Sequence, residues 1–299
     1  MDQATALFQQ HRPRLLGLAY RMLGTQADAE DVLHDAWLRW DQQDTDALDD
    51  SEAWLVTVTT RIALDRLRRA KTERAHYTGP WLPEPLVDDV DQPEAQLERV
   101  ESLSLSFLAL LERLSPDERA AFLLVQVFDY SHAEAATMLE IAEDACRQRV
   151  HRARQRLREG RPRFTHSPDA QRRLLEKFRD ALEQANVPAL QALFAEDAIH
   201  LADGGGKVSA TLRPLHGGDR VVRLYSLIAE RYRDLSIVHR LQWINGAPAL
   251  LTWVDAKLAT VAWIETDGER ITSIHSLRNP EKLARLEAVT NPQGSTSLS

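Results

Sequence analysis

The chain has 299 residues, 43% hydrophobic and 27% charged, with a net charge of −8. That is the composition of an ordinary soluble protein with room for two or three small domains. No apolar run is long enough to span a bilayer, and the start MDQATALFQQHRPR has no signal-peptide pattern. Cys146, the one cysteine, excludes an internal disulfide and a cysteine-built zinc site. The expectation is a cytoplasmic protein with no membrane partner, no metal and no cofactor.

Leu15, Leu18, Ala19 and Met22 predict a first helix, ended by Gly24. ADAEDVLHDAWLRW follows from Ala27, with Ala29, Val32, Leu33, Ala36, Trp37 and Trp40 at helical intervals. A third helix from about Ser51 carries Trp54, Leu55, Val58, Ile62 and Leu67 before turning basic. Its Val-Thr-Val-Thr-Thr run is strand-like by itself, but the flanking AWL and RIALDRLRR favour helix. From Arg61 to Arg74 six basic residues face two acidic ones, a net charge of +4.

Gly79-Pro80-Trp81-Leu82-Pro83-Glu84-Pro85 is a break that no helix survives. The acidic stretch after it, to about Pro93, reads as an extended linker, and Glu84 to Glu101 carries a net −6. Basic patches on both sides of an acidic tether suggest two DNA contacts in a body that resists non-specific binding. A second helical bundle is expected from near Glu94. Ser115-Pro116-Asp117-Glu118 has the cap serine, first-position proline and glutamate of a helix start.

Ser131 to Arg158 is the most informative stretch. Ser131 and Glu134 form an S-x-x-E capping box, Ala135, Met138 and Leu139 supply an apolar stripe, and Glu140-Ile141 makes a turn. Cys146, Val150, Ala153 and Leu157 then recur at spacings of four, three and four, one buried face. Arg147, Gln148, His151, Arg154, Gln155 and Arg158 point the other way. Arginine bonds guanine edges or phosphates and glutamine bonds adenine, so this face suits a major groove. A lone basic helix reads as solvated surface; the capped helix and tight turn before this one favour helix-turn-helix.

The character changes around Pro162 to Asp169. RRLLEKFRDALEQANVPALQALFAEDA reads as helical. Strands follow, with Asn245-Gly246 between LSIVHRLQWI and APALLTWV, and Asp267-Gly268 between ATVAWIET and ERITSIHSL. Both dipeptides signal type I′ hairpins. The expected last third is α+β, helices first and then an antiparallel meander. Asp197, His200, Asp203, His216, His239 and His275 offer chemistry there, but no spacing identifies an acid–base pair or metal site. No catalytic residue is therefore expected. The Gly-rich Asp203-Gly204-Gly205-Gly206-Lys207 has two readings, an anion cradle or a tight loop.

ADAEDVLHDAWLRW, AWLVTVTTRIALDRLRR and LSPDERAAFLLVQVFDYSHAEAATMLEIAEDACRQRVHRARQRL together resemble the extracytoplasmic-function sigma factors of bacterial RNA polymerase. WLPEP (Trp81, Leu82, Pro83, Glu84, Pro85) and DGGGK resemble the branch with a fused SnoaL-like domain, group forty-one. Asn279, Pro280, Glu281, Lys282 and Leu283 are similar to its terminal NPDKL, with Glu for Asp. The resemblance implies a multidomain fold, two all-α sigma domains, the second with a helix-turn-helix, and a C-terminal α+β SnoaL/NTF2-like domain. Its divisions fall at 1–78, a linker at 79–104, 105–163, 170–290 and a flexible tail at 291–299.

The resemblance also implies roles. Asp28, Glu30, Asp31, Leu33, Asp35, Trp37 and Leu38 lie on the helix that docks on the β′ clamp helices of core RNA polymerase, whose β subunit is a further partner. Trp37 and Trp40 have core as a second reading. Arg61, Asp65, Arg68, Arg69, Lys71 and Arg74 meet the minus-ten element of promoter DNA, Arg61 and Asp65 at an extruded base. Arg147, Gln148, His151, Arg154, Gln155 and Arg158 read the minus-thirty-five element, and the acidic linker runs through the polymerase channels. WLPEP, DGGGK and NPEKL are regulatory, with an unidentified small ligand of the C-terminal domain as a further partner. Two residues depart from the family: Glu140 stands where glycine is common and Ala142 where serine caps, a loss of about 1 kcal/mol. The alternative function is a DNA-binding regulator fused to a ligand-binding or enzymatic NTF2-like domain.

Overall fold

The computed structural model describes residues 3–44, 48–86, 104–160 and 168–290. The chain divides into two compact units, Met1–His76 with Leu108–Gly160, and Tyr77–Phe107 with Arg161–Ser299. The expected acidic stretch beyond Leu86, the helix start near Glu94 and the tail at 291–299 lie outside the described residues.

In the first unit α1 (Gln3–Leu23), α2 (Gln26–Trp40) and α3 (Ser51–Arg74) form a bundle. Leu15, Leu18, Ala19 and Met22 are fully buried along α1. Gly24 closes that helix at φ +78°, its N–H donating to the Tyr20 carbonyl at 2.7 Å. Side chains of Thr25 and Asp50 cap α2 and α3. The Val-Thr-Val-Thr-Thr run is helical, burying Val56, Thr59 and Thr60 on the inner face.

After α4 (Leu105–Leu111), both sequence-predicted capping boxes are formed. Ser115 and Glu118 start α5 (Pro116–Gln126), and Ser131 and Glu134 start α6 (His132–Met138). The turn into α7 (Glu143–Gly160) puts Glu140 at φ +54°, the left-handed conformation in which glycine is least strained. Cys146, Val150, Ala153 and Leu157 are all buried, the face the four–three–four spacing predicts.

The second unit holds α8 (Pro168–Glu183), α9 (Val187–Leu193), β1 (Phe194–Asp203), β2 (Leu215–His216) and α10 (Gly218–Arg231). β3 (Ile237–Ile244), β4 (Ala247–Val254), β5 (Lys257–Thr266), β6 (Ile271–Leu277) and α11 (Pro280–Val289) follow. The sheet order is β2-β1-β6-β5-β4-β3. Three expectations are corrected. FAEDA is the start of β1, because Phe194 and Ala198 join the core, so sheet packing overrides the helical run before them. β1 pairs parallel with β6, so the sheet is more than an antiparallel meander. Asn245-Gly246 does make a two-residue turn with both φ positive, but Asp267–Arg270 is a four-residue loop. There Asp267 Oδ1 accepts the N–H groups of Glu269 and Arg270 at 2.9 and 2.7 Å. The sequence reading missed the β4–β5 turn at Asp255-Ala256, which takes φ +48° and +64° without a glycine.

One face of the sheet carries α8, α9 and α10 on a core that includes Leu175, Phe178, Leu190, Phe194, Tyr225 and Leu250. Phe178 and Tyr225 meet edge to face at 4.9 Å. Residues 77–86, of which the sequence assigns 77–78 to the first domain and 79–86 to the linker, are a strap of this unit with Leu82, Pro83, Glu84 and Pro85 buried.

Candidate functional sites

On α2, Asp31 and Asp35 both accept from Arg66 of α3, at 3.1 and 2.8 Å, and Glu30 accepts from Arg12 at 2.6 Å. Burial alone lowers the Arg66 pKa, but the two carboxylates outweigh it and raise it. Asp28 lies in the first turn against Thr25. Leu38 is 48% exposed and Trp37 rests edge-on against Phe8. Leu33 and Trp40 are core, and Trp40 Nε1 donates to the Ala4 carbonyl at 2.8 Å. The expected docking face therefore loses Leu33, whose side chain a partner does not reach.

The basic end of α3 lies against the helix-turn-helix lobe. Arg61 Nε donates to the Met138 carbonyl at 2.8 Å, and its Nη1 pairs with Glu140 at 2.8 Å. Arg68 spans Asp117 at 2.8 Å and Asp65 at 3.1 Å, and the bond to Asp117 is the main cause that raises its pKa. Lys71 donates to the Leu114 carbonyl at 3.2 Å. Arg74 pairs with Glu112 at 2.7 Å and donates to the Leu23 carbonyl at 2.7 Å. Arg69 is exposed. In this state four of the six expected minus-ten side chains are engaged by the other lobe.

Sequence reasoning missed Arg119, which is 1% exposed at the junction of the lobes. It donates to the Met22 carbonyl at 2.9 Å and the Leu111 carbonyl at 2.6 Å, and pairs with Glu112 at 2.7 Å. Burial pushes the Glu112 carboxyl up, but the Arg119 and Arg74 guanidiniums outweigh it and hold the group below the usual carboxylate range. A buried arginine inside ERAAFLL has no local signature.

On α7, Arg147, Gln148, His151, Arg154, Gln155 and Arg158 are all exposed. Arg147 pairs with Glu143 and with Asp144, and Arg154 donates twice to Gln126 Oε1, at 3.0 and 2.6 Å. The intervening Arg152 and Arg156 brace the lobe by gripping buried Glu118 at 3.3 and 2.5 Å.

The second unit brings together WLPEP, DGGGK and NPEKL, the three motifs expected to be regulatory. Asp203, the last residue of β1, is fully buried. Its carboxylate accepts from Tyr77 Oη at 2.6 Å, Leu82 N at 2.9 Å, Gly205 N at 3.0 Å and Lys282 Nζ at 2.7 Å. Lys282 also donates to the Leu82 carbonyl at 2.5 Å and stands 3.9 Å from the centre of the Trp81 ring. Asn279 donates to Tyr77 Oη at 2.9 Å and caps α11 through Glu281 N. Lys207 pairs with Glu281. A Cβ on Gly205 would strike the Asn279 side chain, so that position needs glycine for space as well as for φ +62°. DGGGK is thus the tight loop, its groups turned to the strap and to α11. The strap's far end is clipped at Leu86 by Asn245, through bonds of 2.7 and 3.2 Å. Tyr77 lay outside every motif read from the sequence.

A cavity of about 600 Å³ opens between the sheet and α8 and α10. Phe178, Leu224, Ile228 and Leu250 give it apolar walls, and His200, Tyr225, His239 and Arg278 its polar points. His200 is brought down to about 4 by burial and, secondarily, by the Arg278 charge. Burial raises the Tyr225 phenol, with Ser276 and Arg278 opposing. Asp197, His216 and His275 are not among the cavity-lining residues. Among the described residues no cluster of His, Cys, Asp or Glu is arranged to hold a metal ion, and no helix is long and apolar enough to cross a membrane.

A helix bundle, a helix-turn-helix lobe and an α+β unit joined in this order define a class. Residues 7–73 match the family model for Sigma-70 region 2, and residues 104–157 that for Sigma-70, region 4. The ECF RNA polymerase sigma factor SigJ of Mycobacterium tuberculosis is 36% identical over 95% of this chain and 91% of its own length. A probable ECF RNA polymerase sigma factor of the same organism, SigI, is 30% identical over 96% and 97%. The crystal structure of the M. tuberculosis SigJ matches with a TM-score of 0.74 and 30% identity, covering 94% of this chain and 98% of that one. The chain belongs to the extracytoplasmic-function RNA polymerase sigma factors and directs transcription initiation, with RNA polymerase and promoter DNA as its partners. It carries two all-α sigma regions and a C-terminal α+β domain built on a six-stranded sheet.

Proposed function

We propose that the first unit, as folded here, is the closed state of this sigma factor, and that the C-terminal domain controls its opening through the strap. The observation that carries this reading is the engagement of Arg61, Arg68, Lys71 and Arg74 by the helix-turn-helix lobe. Side chains expected at the minus-ten element cannot hold Glu140, Asp117 and Glu112 and grip DNA phosphates at once. Opening follows when core polymerase takes α2 on its β′ clamp helices, through Asp28, Glu30, Asp31, Asp35, Trp37 and Leu38, and region four on its β subunit. Arg147 and Gln148 near the start of α7 then read minus-thirty-five base edges while Arg154 and Arg158 hold phosphates.

The strap supports the regulatory half of the reading. It begins at Tyr77, three residues after α3 ends at Arg74, so a domain that grips it sets how much tether the two lobes share. The domain works by binding, in the cytoplasm, without catalysis. A shift from mostly closed to mostly open takes about 5.5 kcal/mol of differential binding, which the polymerase supplies. Distances between labels on α3 and α7 should lengthen on adding core polymerase, and Asp31→Arg should prevent this at the same concentrations. Distances unchanged by saturating polymerase would remove the closed-state reading.

A further inference from the structure

We propose that the cavity of the C-terminal domain binds an amphipathic organic anion, an apolar ring or chain body with one carboxylate or sulfonate-like group directed at Arg278, and that its occupancy loosens the strap. The volume, about 600 Å³, falls within the usual range of small-molecule sites and takes a body of roughly 20 non-hydrogen atoms. Phe178, Leu224, Ile228 and Leu250 line an apolar interior. Neutral polar groups stand within it in pairs: His200 with Thr211 at 3.4 Å, Tyr225 with Ser276 at 3.2 Å, and His239 with Thr252 at 2.9 Å. They orient a hydroxyl or carbonyl without adding charge, since His200 is neutral at cellular pH.

The charge of the wall selects the sign of the ligand. Among the described residues, Arg231, Arg233 and Arg278 line the cavity against a single carboxylate, Glu183. Arg278 donates to the Ser209 carbonyl and, at 3.2 Å, to Tyr232 Oη, neither of which neutralises it. An anion entering beside Arg278 gains a charge-assisted bond at a place where a cation is repelled.

The same arginine connects cavity and strap. Its backbone N–H donates to the Asp203 carbonyl at 2.7 Å, and its neighbour Asn279 holds Tyr77. The loop whose Ser209 it grips lines the cavity on one side, through Ser209, Ala210 and Thr211. On its other side Gly206 and Leu212 approach Thr78 and Gly79 of the strap. An anion that draws the guanidinium from the Ser209 carbonyl frees this shared wall. The relay to transcription rests on the strap reading above; the binding site does not.

The test uses full-length protein and 8-anilinonaphthalene-1-sulfonate, with N-phenyl-1-naphthylamine as the same body without the anion. Saturable one-to-one binding of the sulfonate is expected, at least tenfold tighter than the amine. Arg278→Gln should bring the two probes together, and Arg278→Lys should restore part of the preference. Leu227→Trp, at an exposed position on the cavity wall, should weaken both probes at least tenfold without unfolding the domain. Equal affinity for the two probes, or full sulfonate binding in either Arg278→Gln or Leu227→Trp, overturns the site. Hydrogen exchange at the Leu82 amide, which donates to Asp203, reads the strap directly. Saturating sulfonate should speed it several-fold. An unchanged rate with the probe bound overturns the relay and leaves the cavity site standing, whatever transcription does.

Discussion

Both units depend on arginine or lysine meeting carboxylates, and they do so under opposite conditions. The pairs between the sigma lobes are largely wet: the Arg61, Arg68 and Glu140 side chains are 41%, 50% and 73% exposed. Exposed pairs of that kind contribute about 0.2–1 kcal/mol each, and salt screens them. In the second unit Asp203 and Lys282 meet at 0% and 9% side-chain exposure. Separating a dry pair strands a charge in a low-dielectric interior. The difference teaches where this molecule bends. Contacts that DNA and polymerase replace in the proposed opening are individually cheap to exchange, whereas the grip on the strap is not. Glu112 with Arg119 and Arg74 is the exception on the sigma side, a shielded cluster with side chains 23%, 2% and 16% exposed within an otherwise wet interface.

The largest effect should come from breaking the dry pair. Asp203→Ala leaves the Lys282 ammonium without its carboxylate and removes the acceptor of Tyr77 and Leu82, and should cost about 3–5 kcal/mol. Lys282→Met should cost less, because Tyr77, Leu82 and Gly205 still donate to Asp203. Thermal unfolding of the two variants checks the order. A larger loss for Lys282→Met would mean that the ammonium, and not the carboxylate, organises the strap.

The next effect is a pH dependence confined to the second unit. Unfolded His200 takes a proton at about 6.5, the folded imidazole only at about 4, because burial disfavours the cation. The unfolded state therefore binds more protons between these values, and stability falls as pH drops. The contribution of His200 is complete above 6.5 and lost progressively from there down to about 4, at most about 3 kcal/mol. His239, lowered by burial and then by Arg179, adds in the same direction. His200→Gln should flatten the acid limb of denaturant midpoints measured from pH 7 to 4. An acid limb as steep as the wild type's assigns the loss elsewhere.

The two units also differ in how much of them was legible in the sequence. The helix-turn-helix rests on short-range signals: two capping boxes and an apolar spacing complete within one helix, and all of them formed. The strap cluster joins Asp203 to Tyr77 across 126 positions and to Lys282 across 79, so no periodicity links them. Family resemblance pointed to WLPEP, DGGGK and NPEKL, but not to their meeting on one carboxylate or to Tyr77. Leu33 and Trp40 share the helical spacing of exposed neighbours, and only bundle packing separates core from surface there. The Asp255-Ala256 turn takes left-handed conformations without glycine and was silent for that reason.

The smallest effect tests the wet side. Asp117 holds Arg68 at 2.8 Å and lies 3.6 Å from Arg149, while its own side chain is 33% exposed. Asp117→Asn removes the attraction without touching a residue expected to meet DNA. The closed state should lose about 0.2–1 kcal/mol, a shift of roughly 1.5- to 5-fold toward open forms. Promoter-DNA affinity should rise by that factor at low salt, and the gain should fade as salt screens the wild-type pair. Arg68→Ala breaks the same pair but also deletes an expected phosphate contact, so its DNA affinity should drop and its salt dependence flatten. Opposite signs for the two variants are what masking requires. If both lowered DNA affinity alike, Asp117 would act through the first turn of α5, and Arg68 would not be masked.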